Sequence, residues 1–352
     1  RKQVEVLTTG TTNPWGHDWN EVGEAFFVNT VNGHLWHSIP GAHFTRLTLD
    51  PNRKTYELID FHADHWHFDT GKSWTDSRDG AANEYGGGHA HIGAMIYQGD
   101  NWPPEYVGKL FTLNMHGKRA NQERLTRDGS GYVAEHQPDF FRSEDDWFRG
   151  MDLSTGPDGS VFVIDWSDAG ECHEHTGVHR TSGRIFKIRY EDDKKQLQIQ
   201  SMRGWTQEEL GNAHQHPNHW YTRQARLELL RRHAGGEDLG TALQAIRSIH
   251  QNAGTNDLRA IVQTYLSLHI LGGLRVSDHY ANLQHPNEHV RAWAIRFLTE
   301  DWTLDDALGP KRISNSDQRE PSFSNKPWET ANAKTTMAKL IQMPPQDSSA
   351  LV

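Results

Sequence analysis

Gly23-Glu-Ala-Phe26-Phe-Val-Asn29, Gly108-Lys-Leu-Phe111-Thr-Leu-Asn114 and Gly159-Ser-Val-Phe162-Val-Ile-Asp165 are three copies of one pattern. A Gly opens each, an apolar pair with Phe fills it, and Asn or Asp closes it. Such a run reads as a short strand entered from a turn. The copies are 85 and 51 residues apart, which fits a period of about 45 residues with one degenerate copy between the first two. Gly33-His-Leu-Trp36-His-Ser-Ile39 and Gly183-Arg-Ile-Phe186-Lys-Ile188 follow two of them as second alternating strands. Repeats of several short strands at this period predict β-propeller blades, with aromatics filling the space between them and the closing Asn or Asp on one rim. Residues 1–195 would make roughly four blades at that period. An open β-sandwich is the alternative, and the repeat period argues against it.

The chain has 352 residues and a formal charge of −10. Residues 1–190 hold 18 Lys and Arg against 27 Asp and Glu, and they carry 22 of 31 Gly and 8 of 13 Trp. The remainder is nearly neutral, at 18 against 19, so two architectures meet near 190–205. An acidic first half disfavours nucleic acid, whose phosphates need a basic face. No run approaches the roughly 18 apolar residues of a membrane span. Cys172 is the one cysteine, so there is no disulfide framework, no Cys-rich zinc site and no Cys-x-x-Cys-His haem attachment; it reads as a buried or incidental thiol. The chain opens at Arg1 without Met or a signal peptide, which suggests an interior fragment of a longer protein.

From about 206 the periodicity becomes helical, over 222–233, 239–250, 257–270, 289–299 and 331–342. Leu227 and Leu230, then Leu239, Leu243, Ile246 and Ile249, then Val290, Trp293, Ala294, Phe297 and Leu298 mark the apolar stripes. Gln215-His-Pro-Asn218 leading to Arg223 recurs as Gln284-His-Pro-Asn287 leading to Arg291, an offset of 69 that makes two units of about 35 residues. Residues 206–343 are therefore expected to form HEAT- or armadillo-like helical repeats, with an ordinary helical bundle as the alternative. The tail from Met343 reads as a frayed boundary.

Four clusters could carry chemistry. His65 and His67 alternate in a strand, which puts them on one face roughly 6–7 Å apart. His89 and His91 repeat that geometry, and Asp64 or Asp69 could complete a divalent metal site; rim histidines bonding between blades are the other reading. The Asp76–Glu84 loop is rich in oxygen donors but lacks EF-hand spacing. Asn114-Met-His116-Gly-Lys118-Arg119-Ala-Asn121 follows a blade strand and puts an imidazole, two cations and two amides at one rim, chemistry suited to an anionic cofactor or a developing oxyanion. Asp165 to Gly183 is a long loop between strands, a length that points to function.

Longer motifs carry a resemblance. Asn13-Pro-Trp-Gly-His-Asp-Trp-Asn20, Thr30-Val-Asn-Gly-His-Leu-Trp-His37, His62-Ala-Asp-His65, Trp74-Thr-Asp-Ser-Arg-Asp-Gly80, Gly86-Gly-Gly-His89, Trp147-Phe-Arg-Gly150, Asp165-Trp-Ser-Asp168 and His179-Arg-Thr-Ser-Gly-Arg184 resemble the PVC-type haem-binding proteins, also described as membrane-bound dehydrogenases. The propeller of that family is similar to the soluble quinoprotein glucose and sorbosone dehydrogenases. The resemblance implies a periplasmic or secreted, membrane-associated protein with a six-bladed propeller completed upstream and a haem c domain downstream. It also implies oxidation of a sugar or alcohol with pyrroloquinoline quinone and Ca²⁺, electrons passing to haem. By position after blade strands, His116, Arg119 and Arg180 are the catalytic candidates, and Lys118, Asn114 and Asp165 the cofactor-binding ones. His65, His67, His89, His91 and Asp64 are the candidate metal ligands. A glycan- or protein-binding scaffold and a lactonase-like metal hydrolase remain the competing functions.

Overall fold

The computed structural model describes residues 7–11, 13–30, 35–44, 61–62, 90–169, 181–190, 201–300 and 331–343. The three repeated motifs are strands β3 (Ala25–Asn29), β8 (Leu110–Asn114) and β12 (Val161–Asp165). Each is the second strand of its own antiparallel sheet. β2 (Pro14–Trp19), β3, β4 (Leu35–Ser38) and β6 (Phe61–His62) form the first sheet. β7 (His91–Ile96), β8, β9 (Arg119–Asp128) and β10 (Gly131–Arg142) form the second; β11 (Gly150–Thr155), β12 and β13 (Arg184–Ile188) form the third. Two short strands, β1 (Thr9–Gly10) and β5 (His43–Phe44), pair in parallel beside them. The degenerate copy expected between the first two motifs falls on residues outside those described.

The motif glycines have a physical reason. Gly23, Gly108 and Gly159 take φ of +80°, +82° and +71° at the turn into the second strand, a conformation that costs an L side chain strain. The first strands of the three sheets lie side by side, β2 against β7 and β7 against β11. Gly16 makes the first approach possible: a Cβ there would lie 2.6 Å from the Ala94 amide nitrogen. Aromatic and aliphatic side chains fill the space between sheets, as the composition predicts. Phe26, Leu35, Ile96, Leu110 and Tyr132 pack between the first and second sheets. Met95, Tyr97, Trp102, Phe111, Phe148 and Val163 pack between the second and third.

Seven α-helices follow among the described residues: α1 (Gln207–Asn212), α2 (His219–Ala234), α3 (Gly240–Asn252), α4 (Leu258–Ile270), α5 (Val276–Asn282), α6 (Glu288–Leu298) and α7 (Ala331–Gln342). Five match the predicted segments. α1 and α5 were not read from periodicity, since one or two turns carry too few apolar positions; the Thr206/Glu209 capping box is the local signal that marks α1. The stripe predicted on α2 is corrected. Leu227 is 58 % exposed, and Thr222, Ala225 and Leu229 are the buried face. Met343, read as the start of a frayed tail, is buried in the core around α4 and α6.

The repeated Gln-His-Pro-Asn motif is one turn built twice. In each, the His ring Nδ1 accepts from the Asn amide at 3.0 Å (His216 with Asn218, His285 with Asn287), and the Asn side chain caps the following helix.

These helices sit at the end of the sheets where first strands turn into second strands. Val22 of the β2–β3 turn enters the helical core beside Ile261, Tyr265 and Val290, a burial worth about 1.5–3 kcal/mol. The Asn218 amide donates to Gly156 O at 2.9 Å, Trp293 Nε1 donates to Val22 O at 2.8 Å, and Arg127 pairs with Glu288.

Burial of histidines makes the helical part acid-sensitive. His214 is 3 % exposed, with its ring against Gly211 O and Ser267 Oγ. Burial, helped by the Arg226 charge, lowers its pKa from 6.5 to about 4. Because the folded pKa is the lower one, the stabilisation is complete above the unfolded pKa and is lost as pH falls from about 6.5 towards 4. The loss amounts to about 3 kcal/mol for this ring alone. Urea midpoints should fall across that window, and His214→Gln should flatten the fall; a midpoint independent of pH there would contradict it.

Candidate functional site

The opposite end of the sheets, where the second strands finish, holds the residues singled out by sequence. Asn29, Asn114 and Asp165 are all buried and occupy the same place in three sheets. Their side chains turn to the backbone. Asn29 Oδ1 accepts from Asn13 N at 2.6 Å, Asn114 Oδ1 from Gly117 N at 2.9 Å, and Asp165 Oδ1 from Arg149 N at 2.8 Å and Ser167 N at 2.9 Å. In the first and third sheets the bond staples the second strand to the start of the first. This satisfies amides that would otherwise face the strand ends without partners.

Asn114 Nδ2 lies 3.4 Å from His91 Nε2, and the His91 carbonyl accepts from Thr30 Oγ1 at 2.8 Å. His91 is fully buried and His116 is 5 % exposed, so two imidazoles lie beneath this rim. The β8–β9 turn is short, Met115 to Lys118, and Lys118 takes φ of +52° within it. Arg119 and Asn121 therefore belong to strand β9, not to a loop. Arg119 is 1 % exposed; it donates to Asp139 Oδ2 at 2.8 Å and Gly117 O at 3.2 Å, while Asn121 donates to Asp139 Oδ1 at 2.7 Å.

Sequence reasoning missed the residues that complete the rim. Lys118 Nζ meets Asp146 at 2.5 Å, Arg184 Nε meets Asp165 Oδ2 at 2.6 Å, and Arg184 also pairs with Asp145. Arg149 donates to the carbonyls of Asp146, Phe148 and Ala169 at 2.8–3.1 Å. The Trp147 amide and then Arg184 hold Asp145 below the usual carboxylate range, and the Lys118 ammonium does the same for Asp146. Arg149 lies within the Trp147-Phe-Arg-Gly150 motif, and Arg184 opens a predicted strand. Their partners lie up to 39 residues away, so spacing alone gives no hint of the pairing.

Arg180, His65, His67, His89, Asp64 and Asp69 lie outside the described residues, as does Cys172. Of the candidate metal set, His91 is placed, and among the described residues no three His, Cys, Asp or Glu side chains come together as a metal site. Among the described residues no helix is long and apolar enough to cross a membrane.

The chain is similar to solved sugar dehydrogenases at low identity. A glucose dehydrogenase-type oxidoreductase from Thermus thermophilus is 16 % identical over 52 % of this chain and 46 % of its own, with a TM-score of 0.34. The pyrroloquinoline-quinone-bound aldose sugar dehydrogenase of Streptomyces coelicolor is 13 % identical over 52 % and 45 %, with a TM-score of 0.32. The chain thus spans less than half the length of these structures. No curated protein is significantly similar to it. Residues 1–192 match the family described as "Domain of unknown function (DUF7133)", and the chain belongs to that family.

Proposed function

We propose that this chain is the propeller and helical-repeat portion of a dehydrogenase acting on a sugar or alcohol. In this reading the three sheets are blades of the 1–195 propeller, and α1 to α7 belong to a HEAT- or armadillo-like repeat over 206–343. The motif resemblance to PVC-type haem-binding proteins supports export to the periplasm and a haem domain as electron acceptor. The observation that carries the reading is the rim: three sheets end in the same buried Asn or Asp, Asn114 meets His91, and His91 and His116 both lie buried beneath one polar surface. Rigid placement of imidazoles is what general-base chemistry on a hydroxyl requires.

A tricarboxylate quinone, when bound, would supply the hydride acceptor. The described cations do not make a cradle for it. Arg119 is committed to Asp139 in the interior, and Arg184 to Asp145 and Asp165. Of these three, Lys118 has the readily displaced partner, because Asp146 is 87 % exposed and such surface pairs are weak. The part assigned to these residues is therefore framing and substrate-side polarity.

The test is dye reduction by the full-length protein with aldoses and alcohols, with and without added pyrroloquinoline quinone and Ca²⁺. Turnover of an aldose or alcohol is the expected result, and its dependence on each addition identifies the hydride acceptor. Glycan binding with no turnover under any condition would replace this reading with the scaffold one, and turnover that needs neither but is lost on metal removal would replace it with the hydrolase one.

A further inference from the structure

A cavity of about 320 Å³ lies at the other end of the sheets, between the first strands β2, β7 and β11 and the first turns of α2. That volume is within the range of small-molecule sites. Two buried polar groups in its wall have unused hydrogen-bonding capacity. Gln98 Nε2 donates to Trp19 O at 2.8 Å, which fixes the amide and leaves Oε1 buried with no partner. His219 is 3 % exposed, is pinned by its own amide on Gln98 O at 2.9 Å, and keeps one ring nitrogen towards the Gln263 side chain, which leaves the other for a ligand. The nearby Gln263 amide is engaged with Glu21 O and Arg226. An unmet buried acceptor costs about 1–3 kcal/mol, so both groups favour a ligand or solvent that can fill them.

The rest of the wall narrows the chemistry. Asp18 and Arg223 close on each other at 2.7 Å, so that pair offers a ligand no net charge, and the Asp152 carboxylate in the same wall disfavours an anion. Asp152 and Ser154 project from exposed positions of β11, and Trp19 and Trp220 contribute aromatic faces. A neutral imidazole has one donor and one acceptor, and an amide oxygen accepts only. A hydroxyl matches both, since it donates and accepts, and the carbon face of a sugar ring suits an indole.

We propose that this cavity binds a neutral polyhydroxylated ligand of monosaccharide size, with Gln98 Oε1 accepting from one hydroxyl and His219 bonding to another. The site is separate from the rim and stands whether or not the rim supports oxidation. Calorimetry and saturation-transfer NMR on the full chain, without quinone, test it with glucose, myo-inositol, gluconate and glucose 6-phosphate. Glucose or inositol should saturate with Kd of about 1 mM or tighter, and the two anions should bind at least about tenfold more weakly. Ser154→Tyr, which fills the cavity from an exposed position, and Gln98→Leu should each weaken binding about tenfold. If Gln98→Leu fails to fold, Ser154→Tyr decides. Absence of saturable neutral binding, or binding unchanged in Ser154→Tyr, would assign the cavity to water and overturn the proposal.

Discussion

Glu24→Ala should destabilise the protein by about 3–5 kcal/mol, the cost of removing one partner from a buried ionic cluster. Glu24 is 3 % exposed at the start of β3. Its carboxylate accepts from Arg296 of α6 at 2.8 and 3.1 Å and is hydrogen-bonded to His37 Nε2 at 3.0 Å. His37 is itself buried, stacked on Phe26 and edge-on to Tyr132, so without Glu24 its Nε2 loses that hydrogen bond in an apolar place. Burial pushes the Glu24 pKa up, but the His37 and Arg296 interactions outweigh it and the net pKa lies below 4.5. A lowered carboxylate pKa gives stability above the unfolded value that is lost as pH falls through the folded one. Urea titration at neutral pH should therefore show the full deficit, and the difference between wild type and Glu24→Ala should shrink as pH falls below 4.5. A neutral-pH deficit under about 1 kcal/mol would mean that this cluster does not hold the helices to the first sheet.

Asp18→Ala should cost about 3 kcal/mol and loosen the same boundary at a second point. Asp18 is 8 % exposed and joins three elements. One oxygen accepts from Ile96 N of β7 at 2.8 Å, and the other accepts from Trp19 N at 2.8 Å and Arg223 of α2 at 2.7 Å. Arg223 also donates to Trp19 O at 2.9 Å. Amide exchange at Ile96 and in the first turns of α2 should accelerate together in the variant. Asp18→Asn keeps an acceptor and should lose less. Faster exchange confined to β2 would show that Asp18 serves only its own sheet.

The parts of the fold legible in sequence are those with local physical causes. The three strand motifs were readable because each needs a Gly at positive φ, an apolar pair and a closing polar residue within seven positions. The helices of α3, α4 and α6 were readable because their buried faces repeat at helical spacing. The β9–β10 hairpin was not, because Arg119 to Asp128 is a polar strand whose buried Arg119, Asn121 and Glu123 mimic a loop. Asn114, His116, Lys118, Arg119 and Asp165 lie at the same end of the sheets, where the strand motifs close. What their side chains bond was hidden, since Asp139, Asp145 and Asp146 come from other strands and turns. The boundary between sheets and helices was hidden for the same reason: Glu24 and Arg296 are 272 residues apart, and no periodicity encodes such a pair.

The proposal to be tested is that the rim serves a dehydrogenase, with His116 as its candidate base. The most direct measurement is the rate of aldose-dependent dye reduction by the full-length protein, with pyrroloquinoline quinone and Ca²⁺ added, for wild type and His116→Gln. The expected result is turnover in wild type and a loss of about 10²-fold or more in the variant. Equal turnover in His116→Gln, or no turnover in wild type with both added, would contradict it.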